Sequence, residues 1–260
     1  MAEMVEARQA HRPRGVARAL ITAYGTVVYV AFLVVFLYAI GWVEGLVVPH
    51  TINDGPDAPV AVAVGVDVVL LTIFAMQHSV MARPWFKKRW TRIVPEPMER
   101  STYVLFATAA LALLMWQWRP LPDQIWDVET NWIRITLYAV SLGGYALVLA
   151  ATFAIDHFDL FGLRQVLRNQ SGKSALPSHF RTPMLYRVIR HPLYAGFIIA
   201  FWVAPTMTWG RLLFAVGTTG FILVAVRFEE HDLVDTFGDD YRTYRTRVPM
   251  LVPRVGSRGR

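Results

Sequence analysis

The chain has no cysteine among its 260 residues. This absence excludes disulfide bridges, thiol nucleophiles and thiolate metal sites, so a disulfide-stapled fold and a cysteine-based zinc site are both ruled out. Charged residues are also scarce, at 17% of the chain, whereas 55% of the residues are apolar. Soluble domains carry roughly 25% charged residues. The composition therefore predicts an integral membrane protein.

Several catalytic and nucleotide-binding motifs are missing as well. The sequence contains no glycine-rich Rossmann loop, no Walker motif, no His-Glu-x-x-His pair and no Gly-x-Ser-x-Gly turn. It also lacks the alternation of strand and helix patterns that an α/β enzyme requires. The predicted fold class is all-α, a polytopic membrane helix bundle.

Long apolar segments set the predicted architecture. Four of them, at about 20–42, 59–82, 101–118 and 132–155, are long enough to cross a bilayer. A fifth apolar stretch, 194–226, is interrupted by Pro205 and by residues 208–211, and it predicts a C-terminal hairpin with two arms of about 15 residues. The sequence thus predicts about six spans.

The chain is predicted to form a single integral-membrane domain over residues 1–260. Its parts are an N-terminal cytoplasmic segment (1–19), a four-span bundle (20–155), a cytoplasmic connection (156–191), and a cofactor-binding hairpin with its tail (190–253). Because residues 1–19 are polar and basic and a long apolar span follows them, no cleavable signal peptide is expected.

The distribution of charge predicts the topology. Arginine and lysine are concentrated in 1–19, 83–100, 156–191 and the C-terminal tail, whereas the loops 44–58 and 119–131 are mainly acidic. By the positive-inside rule, both termini should be cytoplasmic, in a cytoplasmic (inner) membrane. This rule accounts for the net charge of +7, so no nucleic-acid partner is predicted.

Two polar clusters bracket the predicted hairpin. Arg190-His191-Pro192 precedes it, and Glu229-Glu230 follows it, with a tail that contains Tyr241, Tyr244 and Arg247. Charged groups cost several kcal/mol in hydrocarbon, so such clusters lie at an interface or serve a site. A tight hairpin brings both clusters to one membrane face, which predicts a pocket there.

These motifs carry a resemblance to known membrane methyltransferases. The series Arg190-His191-Pro192-x-Tyr194-x-Gly196, Glu229-Glu230 and Phe237-Gly238-x-x-Tyr241-x-x-Tyr244-x-x-Arg247-Val248-Pro249 resembles the C-terminal half of isoprenylcysteine carboxyl methyltransferases and of phospholipid N-methyltransferases. Three upstream segments are similar to NnrU-like membrane proteins, and most of all to bacterial methanethiol S-methyltransferases. They are residues 77–83, 95–101 and 153–162.

The resemblance implies S-adenosylmethionine as the cofactor. A cation such as Arg190 or His191 is suited to its carboxylate, and a glutamate to its ribose hydroxyls or α-amino group. Two tyrosines three residues apart on a helix present their rings on one face, which suits adenine or the sulfonium. The predicted cofactor-binding residues are Arg190, His191, Pro192, Leu193, Tyr194, Gly196, Glu229, Glu230, Tyr241 and Tyr244.

A second candidate cluster is Asp156-His157-Phe158-Asp159, at the end of the fourth long span. An imidazole beside a carboxylate is a plausible base for a thiol proton. Asp156, His157 and Arg247 are accordingly the predicted catalytic residues, with Arg247 as a cation that stabilises the thiolate. The alternative is a structural helix end, in which Asp156 or Asp159 caps the next helix.

A third candidate is His78, within Gln77-His78-Ser79 near the end of the second span. NnrU-like carotenoid isomerases use histidines as haem ligands, which the resemblance allows here. The other interpretation is a hydrogen bond between helices that stabilises the bundle by about 1 kcal/mol or less. Tyr103 is expected to line the same cavity as His78. The predicted substrate-binding residues are His78, Tyr103 and Asp159.

The resemblance therefore implies methyl transfer to the sulfur of a small thiol, with methanethiol as the expected acceptor and dimethyl sulfide as the product. The expected partners are this thiol and the lipid bilayer, and no metal is expected. Three alternatives remain: an isoprenylcysteine-type carboxyl methyltransferase, a haem-binding isomerase or electron-transfer protein, and a non-catalytic membrane partner.

Overall fold

The computed structural model describes residues 15–171 and 182–253. The predicted segment 1–19 and connection 156–191 therefore lie partly outside the described residues. Two 3₁₀ turns, Glu96–Met98 and Met184–Arg187, accompany the following elements: α1 (Gly15–Glu44), α2 (Val60–Ala82), α3 (Pro84–Trp90), α4 (Glu99–Gln117), β1 (Gln124–Asp127), α5 (Asn131–Ile155), α6 (His157–Leu160), α7 (Leu163–Gln170), α8 (Pro192–Trp202), β2 (Thr206–Thr208), α9 (Trp209–Phe237) and α10 (Asp239–Arg247).

Five of the described helices are long and apolar enough to cross a membrane: α1, α2, α4 with its preceding turn, α5 and α9. Their outer faces leave many large apolar side chains exposed, such as Val30 and Val34 of α1 and Val224 of α9. A water-soluble protein rarely exposes apolar patches of this extent, whereas lipid covers them. The predicted all-α polytopic bundle is confirmed, and the protein is an integral membrane protein.

The C-terminal hairpin is less symmetric than predicted. Its first arm, α8, has only 11 residues, whereas its second arm, α9, has 29 residues and continues through Glu229 and Glu230 to Phe237. The prediction of two arms of about 15 residues each was therefore wrong. Arginine and two glutamates interrupt the apolar run but not the helix, because these residues favour helical structure, and Glu230 pairs with Arg190.

A two-stranded antiparallel sheet was not predicted. Strand β1 pairs with β2 in the register Gln124↔Thr208, Trp126↔Met207 and Asp127↔Thr206. This pair connects the loop before α5 to the hairpin turn. Thr208 then caps α9, because its hydroxyl accepts a hydrogen bond from the Arg211 amide at 3.2 Å. We call this end of the bundle the strand end, and the opposite end, where α10 lies, the tail end.

The long helices pack in a closed ring. The order of contacts around it is α1, α4, α2, α9, α8 and α5, and α6 and α7 connect α5 back to α1. Large apolar side chains fill the ring at the strand end, where Trp42 lies edge-on to Trp118 at 5.5 Å and Phe201 to Phe214 at 5.0 Å. This packed core closes the ring at the strand end, and we call it the apolar floor.

A buried ion pair lies beside this core. Arg211 of α9 contacts the Glu44 carboxylate at 3.2 Å and donates to the Val43 carbonyl at 2.8 Å, and both charged side chains are almost completely buried. Ser141 of α5 lies 2.8 Å from the same carboxylate. Glu44 thus joins α1, α5 and α9, although the sequence placed it in an acidic loop.

Glycine permits the closest helix crossing, between α5 and α8. A Cβ at Gly196 would lie 2.6 Å from the Gly144 carbonyl oxygen, and a Cβ at Gly144 would lie 2.6 Å from that of Gly196. Small residues let helix backbones approach in this way inside membranes. The predicted contact between Gly196 and a nucleotide stays a prediction, because helix packing alone already requires glycine here.

Candidate functional site

The two polar clusters that bracket the hairpin meet at the tail end. The Arg190 Nε donates to Glu230 Oε1 at 2.8 Å, and His191 Nε2 lies 3.0 Å from the same oxygen. The Glu230 side chain is 12% exposed, and Arg245 of α10 approaches its second oxygen at 3.8 Å. Arg190 and His191, with Arg245 farther away, all approach this one nearly buried carboxylate. Glu230 is therefore the centre of the cluster.

The C-terminal tail closes over this cluster. The Arg190 guanidinium donates to the carbonyls of Arg245 at 2.8 Å and Val248 at 2.7 Å. The backbone amides of Arg190 and His191 donate to the carbonyls of Pro249 and Met250, at 2.9 and 3.1 Å. Arg190 therefore holds the tail in place.

Pro192 begins the first arm of the hairpin. It occupies the first turn of α8, where the missing N–H costs nothing, and Leu193 follows it in the same turn. The backbone amides of Arg190 and His191 just before it are bonded to the tail. The predicted contacts of Pro192 and Leu193 with the cofactor stay predictions.

A second carboxylate lies one residue away and faces a tyrosine. The Tyr194 hydroxyl donates to Glu229 Oε2 at 2.9 Å. Among the described residues, the other oxygen of Glu229 accepts no hydrogen bond, and the side chain is only partly buried. Glu229 is therefore the carboxylate of this pair that retains an accepting oxygen for a ligand.

The predicted tyrosine pair lies on one helix, α10. The rings of Tyr241 and Tyr244 are 5.7 Å apart and tilted by 54°. The Tyr244 hydroxyl donates to the Tyr186 carbonyl at 2.5 Å. Burial raises the pKa of Tyr244 to about 12 and raises the pKa of Tyr241 further, so both phenols are neutral. The pair borders the Glu230 cluster as neutral aromatic groups.

The interior of the ring at the tail end contains His78. Its ring lies 5.5 Å from Phe74, 5.3 Å from Tyr103 and 6.0 Å from Phe221. His78 and Phe74 share the α2 face that buries Leu70 and therefore point inward. They remain partly exposed although they point inward, and from this we infer an open space above the apolar floor, which we call the interior space.

This interior space lies next to the Glu229 carboxylate. Tyr103 and Tyr194 are both within electrostatic range of Glu229 and of Arg83, and Tyr194 is also within range of Tyr103. The Nδ1 of His78 is buried and has no hydrogen-bond partner among the described residues. His78 thus has an unused ring nitrogen on the inward-facing side of α2.

The other predicted histidine, His157, is committed to structural contacts. Its Nδ1 lies 2.9 Å from the Thr152 hydroxyl, and its Nε2 lies 2.8 Å from the Tyr29 hydroxyl. Thr152 donates its proton to the Leu149 carbonyl at 2.7 Å. His157 Nδ1 must therefore carry the proton that Thr152 accepts, and Nε2 accepts from Tyr29. Burial lowers the pKa of His157, which keeps it neutral.

The remaining predicted residues do not converge. Asp156 caps α6 by accepting from the Asp159 amide at 3.1 Å and pairs with Arg164. Asp159 pairs with Arg100 at 3.1 Å. Arg247 is exposed on α10 and forms no hydrogen bond or ion pair with Asp156 or His157 within the described ranges. Their predicted catalytic and substrate-binding roles stay predictions.

Two contacts near the candidate site were not anticipated. Tyr29 of α1 bonds to His157, 128 positions later in the chain, and Arg83 pairs with Asp232 at 2.8 Å to join α2 to α9. No local pattern marks Tyr29. The sequence offers a sign of Arg83, because this residue lies directly after the His78 segment. Its partner Asp232 follows the Glu229-Glu230 motif and was not among the predicted site residues.

The chain was compared with known proteins. The profile described as NnrU protein matches residues 68–249. The chain belongs to the NnrU family. This match includes His78, the His157 segment, the hairpin and most of the tail.

The chain is 56% identical over 230 residues to methanethiol S-methyltransferase 1 of Bradyrhizobium diazoefficiens, which covers 88% of this chain and 81% of the relative. It is 53% identical over 236 residues to methanethiol S-methyltransferase of Mycobacterium tuberculosis, covering 91% and 97%. It is also 31% identical over 185 residues to nurim of Danio rerio, covering 68% and 66%. No solved structure matches the chain.

Proposed function

We propose that this protein is an S-adenosylmethionine-dependent thiol S-methyltransferase that converts methanethiol to dimethyl sulfide. NnrU-family relatives named methanethiol S-methyltransferase, 45–56% identical over most of the chain, support this assignment. Two structural observations support it: the Glu229 carboxylate bonds to Tyr194 at the hairpin, and the inward-facing His78 has a buried Nδ1 without a hydrogen-bond partner among the described residues.

The side chains of the cluster fit the proposed cofactor. S-adenosylmethionine combines a sulfonium and an α-amino group, both cationic, with a carboxylate and an adenine. Glu229 has an oxygen suited to a cationic group, Arg245 is a half-exposed cation suited to the carboxylate, and the ring of Tyr194 is suited to the sulfonium. Glu230, Arg190 and His191 would hold the tail that covers the bound cofactor.

The interior space fits a small thiol. Phe74, Phe221 and Tyr103 provide an apolar surface for a methyl group, and His78 provides the polar atom. When bound, S-adenosylmethionine supplies an activated methyl group. His78 would accept the thiol proton, and the bound cofactor would supply its methyl group to the resulting thiolate, with S-adenosylhomocysteine as the leaving group and a thioether as the product.

A labelled methyl group tests the reaction directly. Purified protein is incubated with methanethiol and with S-adenosylmethionine that carries a trideuterated methyl group. The dimethyl sulfide released should contain one trideuterated methyl group. Headspace mass spectrometry measures this product, and a reaction without protein is the control. Methyl transfer to an isoprenylated cysteine carboxylate, with no volatile product from any small thiol, would contradict the proposal.

We also propose that both termini are cytoplasmic, because basic residues dominate the tail-end loops. The naturally cysteine-free chain allows single-cysteine labelling in intact cells. Arg92→Cys and Arg242→Cys, both at exposed positions, should label only after the cytoplasm is made accessible. Asp123→Cys at the strand end is the control and should label from outside. Labelling of positions 92 and 242 from opposite sides would refute this topology.

A further inference from the structure

Four phenylalanine rings form a continuous row at the tail end of the ring of helices. Phe161 stacks on Phe32 at 4.2 Å, and Phe32 stacks on Phe36 at 5.6 Å. Phe36 then meets Phe197 edge-on at 6.3 Å. These rings come from α1, from the turn after α6 and from α8, so three separate elements contribute to one aromatic wall.

The wall faces inward. On α1, the side chains of Val30, Val34 and Leu37 are exposed on the outer face. Phe32 and Phe36 lie on the opposite side of the same helix, because two residues correspond to a rotation of about 200°. Both are only partly buried although they point inward. They therefore border the interior space, as Phe74 and His78 do from α2.

The wall also stands on the same floor as the proposed thiol site. Phe36, Phe74 and Phe197 all pack against the buried core at the strand end. Phe197 follows Tyr194 by one helical turn on α8, so the wall adjoins the Glu229 cluster. An acceptor bound at His78 would thus lie above the same core as Phe36 and Phe197.

We propose that the row formed by Phe32, Phe36, Phe161 and Phe197 limits the length of the thiol that the protein methylates. This inference rests on the proposed thiol methyltransferase function. Methanethiol has a single carbon, whereas a longer alkyl chain must occupy the volume that these rings fill. Adding methylenes to a packed apolar site is unfavourable, and one methylene changes discrimination by about 10- to 200-fold.

Phe36 and Phe197 are the best positions to test. They form the junction between α1 and α8, and neither forms a hydrogen bond that its replacement would break. Phe36→Ala and Phe197→Ala each remove a ring from the row. Phe106→Ala is the matched control, because it removes the same ring from an exposed position on the outer face of α4.

The measurement is kcat/KM for methanethiol, 1-propanethiol and 1-pentanethiol with each protein. The natural chain should act on methanethiol and discriminate steeply against pentanethiol. Phe36→Ala and Phe197→Ala should raise the pentanethiol-to-methanethiol ratio at least about tenfold, as expected for relief of a methylene-sized clash. Phe106→Ala should leave the ratio unchanged.

The possible failures are distinguishable. If the natural chain methylates no thiol, the proposed function is wrong. If it methylates methanethiol but the ratio is unchanged in both variants, the inference about the wall is wrong and the proposed function stands. Cofactor affinity reports whether each variant is folded. Should Phe36→Ala fail to fold, Phe36→Leu is the substitute, and an unchanged ratio in Phe36→Leu and Phe197→Ala would overturn the inference.

Discussion

Glu230→Gln is expected to weaken the binding of S-adenosylmethionine by about 10- to 100-fold, equivalent to roughly 1.5–3 kcal/mol. The Glu230 carboxylate accepts from Arg190 at 2.8 Å and contacts His191 at 3.0 Å. Loss of its charge weakens the anchoring of the Arg190 guanidinium, which bonds to the tail through the carbonyls of Arg245 and Val248. Arg190→Ala should weaken binding by a similar factor, because it removes the other half of the same network.

Isothermal titration calorimetry measures both variants. Asp235→Asn is the matched control, because it neutralises a carboxylate on the same helix where the side chain is 67% exposed, and its affinity should be unchanged. Glu229→Gln separates a cofactor contact from tail positioning, since Glu229 bonds to Tyr194 rather than to the tail. Unchanged affinity in Glu230→Gln and Arg190→Ala alike would remove the cofactor site from this cluster.

Local sequence patterns were sufficient to predict the four long spans before the hairpin and the meeting of the two clusters. Long apolar runs predict spans because the bilayer requires about 20 apolar residues. Arg190 and Glu230 were expected on one face because a short hairpin joins them. The 3.0 Å contact between His191 and Glu230 agrees with that shared face, although the two side chains were predicted to bind the cofactor rather than each other.

The remaining features depend on contacts between distant parts of the chain. The predicted length of the second hairpin arm was wrong because a hydropathy pattern ends the apolar run before Glu230, whereas this residue pairs with Arg190 in the folded protein. Likewise Glu44 was assigned to an acidic loop, and only tertiary packing brings it to Arg211, 167 positions later. A hydropathy window contains no information on either partner.

The roles of His78 and His157 also depend on contacts between distant parts of the chain. In the sequence, His157 has nearby carboxylates and His78 lies alone in an apolar segment, so His157 was the predicted base. In the structure, Tyr29 and Thr152 occupy both nitrogens of His157, whereas His78 has a buried Nδ1 without a partner. The sequence shows which ionisable residues lie near each histidine along the chain. It does not show which hydroxyl groups bond to the ring nitrogens in the fold.

Replacement of His78 by alanine is expected to lower the rate of thiol methylation by about 10²–10⁴-fold, the usual contribution of a general base. Cofactor affinity should change little, because none of the described contacts of the Glu230 cluster involves His78. His157→Ala should instead reduce stability, since it leaves the Tyr29 hydroxyl without its acceptor. Its turnover per folded molecule should stay within a few-fold of the natural chain.

Turnover measured from about pH 6 to pH 9, a range that covers imidazole and approaches the thiol, distinguishes the possible bases. In His78→Ala the rate should rise with pH across the range, because only thiolate formed in solution reacts. The natural chain should show a weaker dependence above the pKa of its base. If His157→Ala or Arg247→Ala shows the steep rise and His78→Ala does not, the thiol is activated by the Asp156, His157 and Arg247 group. In that case His78 only lines the pocket, and its interaction with Tyr103 is structural.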